Sequence, residues 1–180
     1  MTSEARYAQV RERIARAAER ARRDPASIRL LAVTKKFPPE VLRAAYALGM
    51  REFGENYVQE FEGKYPALAA DLSDARFHLI GHLQTNKARK AAELFQTIQT
   101  VDSVKLAERL DQAGRKLEVM IEVKLADYEE SKHGAAPEEI GEIAAAVRAC
   151  GNLTLLGLMT IPPWSEAELR HKLRDAFARP

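Results

Sequence analysis

The feature that most constrains this chain is its regular alternation of short apolar runs with helical patterns. Strand-like runs fall at residues 30–34, 51–54, 77–81, 98–101, 119–125 and 153–161. Helix-period patterns lie between them at 40–48, part of 56–72, 86–94, 104–115 and 137–149. A strand that returns parallel to its predecessor needs a crossover long enough for a helix, so this rhythm predicts βαβ units and a parallel sheet. Asp102 or Ser103 can cap the helix at 104, and Ala136-Pro137-Glu138-Glu139 is a favourable helix start. Ahead of the first run, Tyr7, Val10, Ile14, Ala17 and Ala21 recur at helical spacing among arginines and glutamates. That segment reads as one amphipathic helix with a solvated charged face.

Two architectures fit the alternation, a doubly wound sheet and a (β/α)8 barrel. Both gather function at the carboxyl ends of their strands. Polar residues follow several runs here: Lys35, then Glu55-Asn56, the segment from His82, Asp102, and Met159-Thr160. No G-x-G-x-x-G follows the first strand, which weakens a dinucleotide reading. The expectation is an α/β barrel of which six βα units can be counted.

Composition narrows the function classes. A chain of 180 residues fits one domain, and 28 Lys+Arg against 26 Asp+Glu leave a net charge of only +2. Such a balance gives no electrostatic footprint for nucleic acid or a membrane surface. Cys150 stands alone, so no intramolecular disulfide forms, and its Ala-rich helical context predicts a packed thiol rather than a nucleophile. The amino terminus has no apolar signal region, and no apolar run is long enough to span a bilayer. The expected location is the cytoplasm.

Four segments carry potential chemistry. Leu31-Ala32-Val33-Thr34-Lys35-Lys36 is an apolar run ending in two lysines, followed by Pro38-Pro39. A lysine at the carboxyl end of a buried strand can act as a nucleophile toward a carbonyl, the chemistry of a Schiff base; the plain alternative is a strand leaving for water. Strand alternation would put Lys35 on one face with Leu31 and Val33, and Lys36 on the other. In Phe53-Gly54-Glu55-Asn56-Tyr57-Val58-Gln59-Glu60, Gly54 suits a tight exit, and Asn56 either caps the next helix or presents its amide to a ligand. In His78-Leu79-Ile80-Gly81-His82-Leu83-Gln84-Thr85-Asn86-Lys87, two histidines straddle a strand-to-loop junction without further ligands, which reads as structural rather than metal-binding. Gly157-Leu158-Met159-Thr160-Ile161-Pro162 places Met159 at a strand end; apart from these four, Ser131-Lys132-His133-Gly134 reads as a polar loop.

In that order and spacing, these segments resemble the pyridoxal-phosphate homeostasis protein family, from the first helix to about Pro163. The resemblance implies the barrel of the alanine racemase amino-terminal domain and a cytoplasmic, non-catalytic protein that holds pyridoxal 5′-phosphate as an aldimine. It implies Lys35 as the aldimine lysine, with Asn56 and Met159 lining the pocket. Lys132 matches a lysine of the family's S-K-x-G loop, a secondary acceptor during handover. Gln84 and Asn86 are further candidate cofactor contacts. Apo forms of pyridoxal-phosphate enzymes are the implied acceptors, and the chain would act as a monomer or homodimer.

The family continues past the sixth strand with two more βα units whose backbone amides hold the cofactor phosphate. Nothing after Pro163 matches those segments, and the tail has no glycine for an anion nest. The chain therefore reads as a single barrel domain over 1–180, cut short after about residue 163. Two rival readings accompany the carrier. One is an amino-acid racemase of the same barrel type, which would need a second base opposite Lys35. The other is a truncated barrel that no longer binds cofactor.

Overall fold

The computed structural model describes residues 2–124 and 133–161. Six parallel strands alternate with helices: α1 (Ser3–Arg20), β1 (Leu31–Val33), α2 (Pro39–Ala47), β2 (Glu52–Glu55), α3 (Val58–Leu68), β3 (Arg76–Leu79), α4 (Ala88–Leu94), β4 (Thr97–Val101), α5 (Val104–Asp111), β5 (Leu117–Glu122), α6 (Ile140–Ala149) and β6 (Leu153–Met159). The expected βαβ rhythm is thus observed, with each boundary moved by a few residues. The described chain divides into two compact units, one of residues 2–55 and 59–77, the other of 56–58, 78–124 and 133–161.

In the first unit, β1 pairs with β2 in parallel, with Leu31 opposite Glu52, Ala32 opposite Phe53 and Val33 opposite Gly54. The Arg76 N–H at the start of β3 donates to the Arg51 carbonyl at 2.7 Å. Phe53, Phe61 and Phe77 form the centre of this unit, with ring centroids 4.7 Å apart for Phe61 and Phe77 and 5.9 Å for Phe53 and Phe77. Phe53 and Phe61 are fully buried, so these large rings supply much of the apolar area that holds β2, α3 and β3 together. Helix α1 begins at a Thr2 cap whose hydroxyl accepts from the Ala5 N–H. Its buried residue is Ala18 rather than Ala17, and Val10 remains exposed, so the stripe expected from the sequence is only partly covered.

Two local expectations are corrected here. Strand β1 stops at Val33, and Thr34 through Phe37 form a turn closed by the Phe37 N–H to the Thr34 carbonyl. Strand alternation therefore does not reach the two lysines. Gly54 is not an exit residue but lies within β2, where its carbonyl accepts the Thr34 N–H at 2.9 Å.

In the second unit, β3, β4, β5 and β6 pair successively in parallel, with His78 opposite Thr97, Thr97 opposite Glu118 and Val119 opposite Leu155. One face is apolar: Ile98, Val101, Val119 and Ile121 are wholly buried, as are Leu110 of α5 and Val147 of α6. The other face is polar and carries Thr97, Gln99, Glu118 and Glu122. Ser103, not Asp102, caps α5 by accepting from the Leu106 N–H. The expected start at Ala136-Pro137 becomes a short 3-10 turn that leads into α6, with the Ala136 N–H bonded to Glu139.

Gly81 explains itself by contact. A Cβ at this position would overlap the Asn56 carbonyl oxygen and stand 2.8 Å from the Asn56 Cα, while the Gly81 carbonyl accepts from the Thr100 hydroxyl at 2.8 Å. Only glycine permits this approach. Gly81→Ala is expected to destabilise the chain by about 1–3 kcal/mol through backbone displacement. Gly63→Ala, in the interior of α3 with open space around it, is expected to stabilise by up to about 1 kcal/mol. Denaturant unfolding of the two variants checks the contrast.

Candidate functional site

The turn that follows β1 is built on buried charge. Glu55 is wholly buried at the end of β2, and Lys64 of α3 meets both its oxygens at 2.9 Å. The same ammonium contacts Glu60 Oε1 at 2.9 Å and donates to the carbonyls of Thr34 at 3.3 Å and Phe37 at 3.2 Å. The Thr34 hydroxyl donates to Glu55 Oε1 at 2.9 Å, and the Lys36 N–H donates to Glu60 Oε1 at 2.6 Å. Every backbone group of the turn that these side chains can reach is thus tied to one cation and two carboxylates. Desolvation pushes the Glu55 carboxyl up against the opposing pull of Lys64 and Thr34. For Glu60, desolvation also pushes upward, but Lys64 and the Lys36 N–H outweigh it and hold that carboxyl below its usual range.

This scaffold separates the two lysines that the sequence offers together. Lys36 is exposed and adopts a left-handed backbone with φ of 63°, its N–H committed to Glu60. Lys35 is half-buried, and among the described residues its ammonium has no hydrogen-bond or ion-pair partner.

The other sequence candidates lie in the second unit. Asn56 stands two residues ahead of α3, and its backbone packs on Gly81. Gln84 precedes, and Asn86 lies within, the 3-10 turn Thr85–Lys87 that leads into α4, and both are exposed. They line a polar cleft of about 790 Å³ together with His82, Asp102, Lys105 and Arg109. Met159 is half-buried at the end of β6, in register with Glu122. Lys132 lies outside the described residues. The histidines are structural in their contacts: His78 Nδ1 shares a 3.0 Å hydrogen bond with Gln99, and His82 Nδ1 lies 3.5 Å from Asp102. Among the described residues no three His, Cys, Asp or Glu side chains gather to hold a metal ion, and no helix is long and apolar enough to cross a membrane. Cys150 ends α6 with its thiol pushed up by desolvation and by Asp111 and Glu108, the opposite of an activated nucleophile.

Two residues escaped the sequence reading. Lys64 looks like any surface helix lysine, although its spacing of four from Glu60 was a usable signal. Glu122 appears as the polar end of an apolar strand, yet it is buried and its Oε2 has no partner. Desolvation, aided by Asp102, pushes its carboxyl up to about 7.

Residues 6–179 match the family description "Alanine racemase, N-terminal domain", so the resemblance runs beyond Pro163. An alanine racemase of Clostridium difficile 630 shares the fold at 14% identity, with a TM-score of 0.67 over 84% of this chain and 41% of that one. A pyridoxal phosphate homeostasis protein of Pseudomonas aeruginosa is 46% identical over 177 residues, 96% of this chain and 74% of that protein. PipY of Synechococcus elongatus, solved with PLP bound, is 36% identical, with a TM-score of 0.71 over 91% of this chain and 82% of that one. The fold class is therefore that of the alanine racemase amino-terminal barrel. Within it, the chain belongs to the pyridoxal phosphate homeostasis protein family.

Removing one member of a buried ion pair leaves the other charge uncompensated. Lys64→Met is expected to cost about 3–5 kcal/mol in denaturant unfolding, and the double variant Glu55→Gln/Lys64→Met to recover part of it. Glu122 gives a pH dependence. Its native carboxyl lies near 7 against about 4.5 for an ordinary glutamate, so the native state binds the extra proton between those values. Stability then falls as pH rises through that window. Glu122→Gln is expected to exceed wild type in stability by on the order of 2–3 kcal/mol at pH 8 and to match it near pH 4. Thermal melts across that range check the sign.

Proposed function

We propose that this chain binds pyridoxal 5′-phosphate covalently through Lys35 and stores or hands on the cofactor without turning over a substrate of its own. The observation that carries the reading is the unengaged, half-buried Lys35 on a turn whose backbone is clamped by the Glu55–Lys64–Glu60 cluster. An amine kept clear of carboxylates retains the freedom to condense with an aldehyde, its Nζ replacing the carbonyl oxygen and water leaving. Bound pyridoxal phosphate would supply an electrophilic aldehyde and a dianionic phosphate. The residues fit such a group in kind: the first unit carries an amine with no partner among the described residues. PLP binding by PipY, a relative of 36% identity, supports the same reading.

Asn56 and Met159 are further cofactor contacts that we assign, with Gln84, Asn86 and Lys132 as secondary contacts. Apo pyridoxal-phosphate enzymes are the acceptors that a store of this kind would serve.

Adding pyridoxal phosphate to the purified chain should produce a new visible absorption band. Lys35→Ala should abolish it, and Lys36→Ala should leave it intact. A band that survives Lys35→Ala refutes the assignment of the lysine. Incubation of the loaded protein with amino acids in heavy water should give no exchange at the α-carbon; exchange would make the chain a racemase-like enzyme.

A further inference from the structure

Most of the polar cleft in the second unit lies beyond the residues assigned to the cofactor. Its volume of about 790 Å³ falls within the range of small-molecule sites. One side follows a single face of α5, where Asp102, Lys105, Arg109 and Gln112 recur at intervals of three and four residues. The 3-10 turn ahead of α4 adds Thr85 to the lining. All of these residues belong to one compact unit, so the cleft does not depend on how the two units meet.

Positive charge at this cleft is left uncompensated. Elsewhere arginines meet carboxylates closely, Arg43 with Asp71 at 2.6 Å and Arg51 with Asp74 at 2.7 Å. Here Lys105 has no hydrogen-bond or ion-pair partner among the described residues. Arg109 reaches the neutral Gln112 Oε1 at 3.3 Å. Asp102 is the one carboxylate among the described lining residues, and it is already engaged by His82 at 3.5 Å and by the Ser103 hydroxyl at 3.3 Å. Arg89 adds a third cation to the lining, held by an exposed contact with Glu93 at 3.9 Å. Lys105 and Arg109, one helical turn and about 5–6 Å apart, can close on the same anion. Such a set of cations favours a dianion over a single negative charge. The other side chains select the rest of the ligand. The Thr85 hydroxyl, without a partner among the described residues, and the Gln112 amide can each donate and accept. No Phe, Tyr or Trp lines the cleft, and the His82 ring is stacked on that of His133 with centroids 3.7 Å apart. The lining therefore suits hydroxyl groups and offers no broad flat face to a nucleobase or a pyridine ring.

We propose that this cleft is a second ligand site, for a phosphorylated sugar, in which Lys105 and Arg109 hold the phosphate dianion and Thr85 and Gln112 hydrogen-bond the sugar hydroxyls. It is a site apart from Lys35, and it stands or falls independently of the cofactor reading. Gln84 and Asn86 border the same cleft, but the proposal does not draw on them.

Calorimetric titration of the full chain with glucose 6-phosphate, glucose, gluconate and inorganic phosphate separates the phosphate from the hydroxyls. Glucose 6-phosphate should bind at least about tenfold more tightly than any of the other three. Lys105→Gln/Arg109→Gln, at two exposed positions that the fold does not need, should weaken it by about tenfold or more through the loss of charge-assisted hydrogen bonds. Arg115→Gln removes an exposed cation of the same unit outside the cleft and should leave binding unchanged. Thr85→Val should weaken glucose 6-phosphate and leave inorganic phosphate as it was. No binding of glucose 6-phosphate overturns the proposal. Equal affinity for gluconate or inorganic phosphate also overturns it, by reducing the cleft to a general anion site, as does an equal effect of Arg115→Gln, which would assign the attraction to surface charge. Repeating the titration with pyridoxal phosphate present should leave the affinity for glucose 6-phosphate intact; competition between the two would make them one site and overturn the proposal, whereas intact binding with no attachment at Lys35 would leave it standing and remove the covalent reading.

Discussion

The contact on which the candidate site depends is the buried pair of Glu55 and Lys64. An ion pair with one partner wholly buried is a poor source of net stability, because desolvating both charges offsets most of their attraction. Its value here is geometric. Lys64 reaches two backbone carbonyls of the turn after β1 as well as two carboxylates, and Glu60 takes the Lys36 N–H. A four-residue turn that would otherwise be loosely held becomes determined at most of its polar atoms. Lys36 is drawn into that network through its backbone, and Lys35 is left out of it. The two adjacent lysines thereby differ, Lys36 tied through its N–H to Glu60 and the Lys35 ammonium without a partner among the described residues.

The second unit reaches the same end by a different route. Its strands present one wholly apolar face, with Ile98, Val101, Val119 and Ile121 under α5 and α6, and one polar face. The apolar face supplies the packing energy, which frees the polar face to carry groups that stability alone would not select. Glu122 is the clearest of them. Gly81 belongs to the same logic, since its lack of a side chain lets the Asn56 backbone come close and fixes the junction of β3 with the loop before α3.

Much of this was legible in the residues. The alternating rhythm is produced by the physics of parallel pairing, so six strands and the helices between them could be read directly. Lys35 and Lys36 stood out as candidates because an apolar run ends in this lysine pair before Pro38-Pro39. What could not be read was how the strand ended. Period-2 alternation assumes the strand continues, whereas β1 closes after three residues because Thr34 turns to satisfy Glu55. Lys64 was hidden for a related reason: a helix lysine four residues after a glutamate is usually solvated, and only the three-dimensional path of α3 shows that this one is buried. Glu122 was hidden because burial, not residue type, makes it unusual.

We propose that the buried pair presents Lys35 and no other lysine to an aldehyde. The most direct measurement is reductive trapping of pyridoxal phosphate with borohydride, followed by peptide mass spectrometry, in wild type and in folded Lys64→Met. The account predicts a single labelled site at Lys35 in wild type. In the variant, label at Lys35 should fall and spread to Lys36 and other exposed lysines. Undiminished, selective labelling of Lys35 in Lys64→Met would contradict it, because the lysine would then be chosen by something other than the turn.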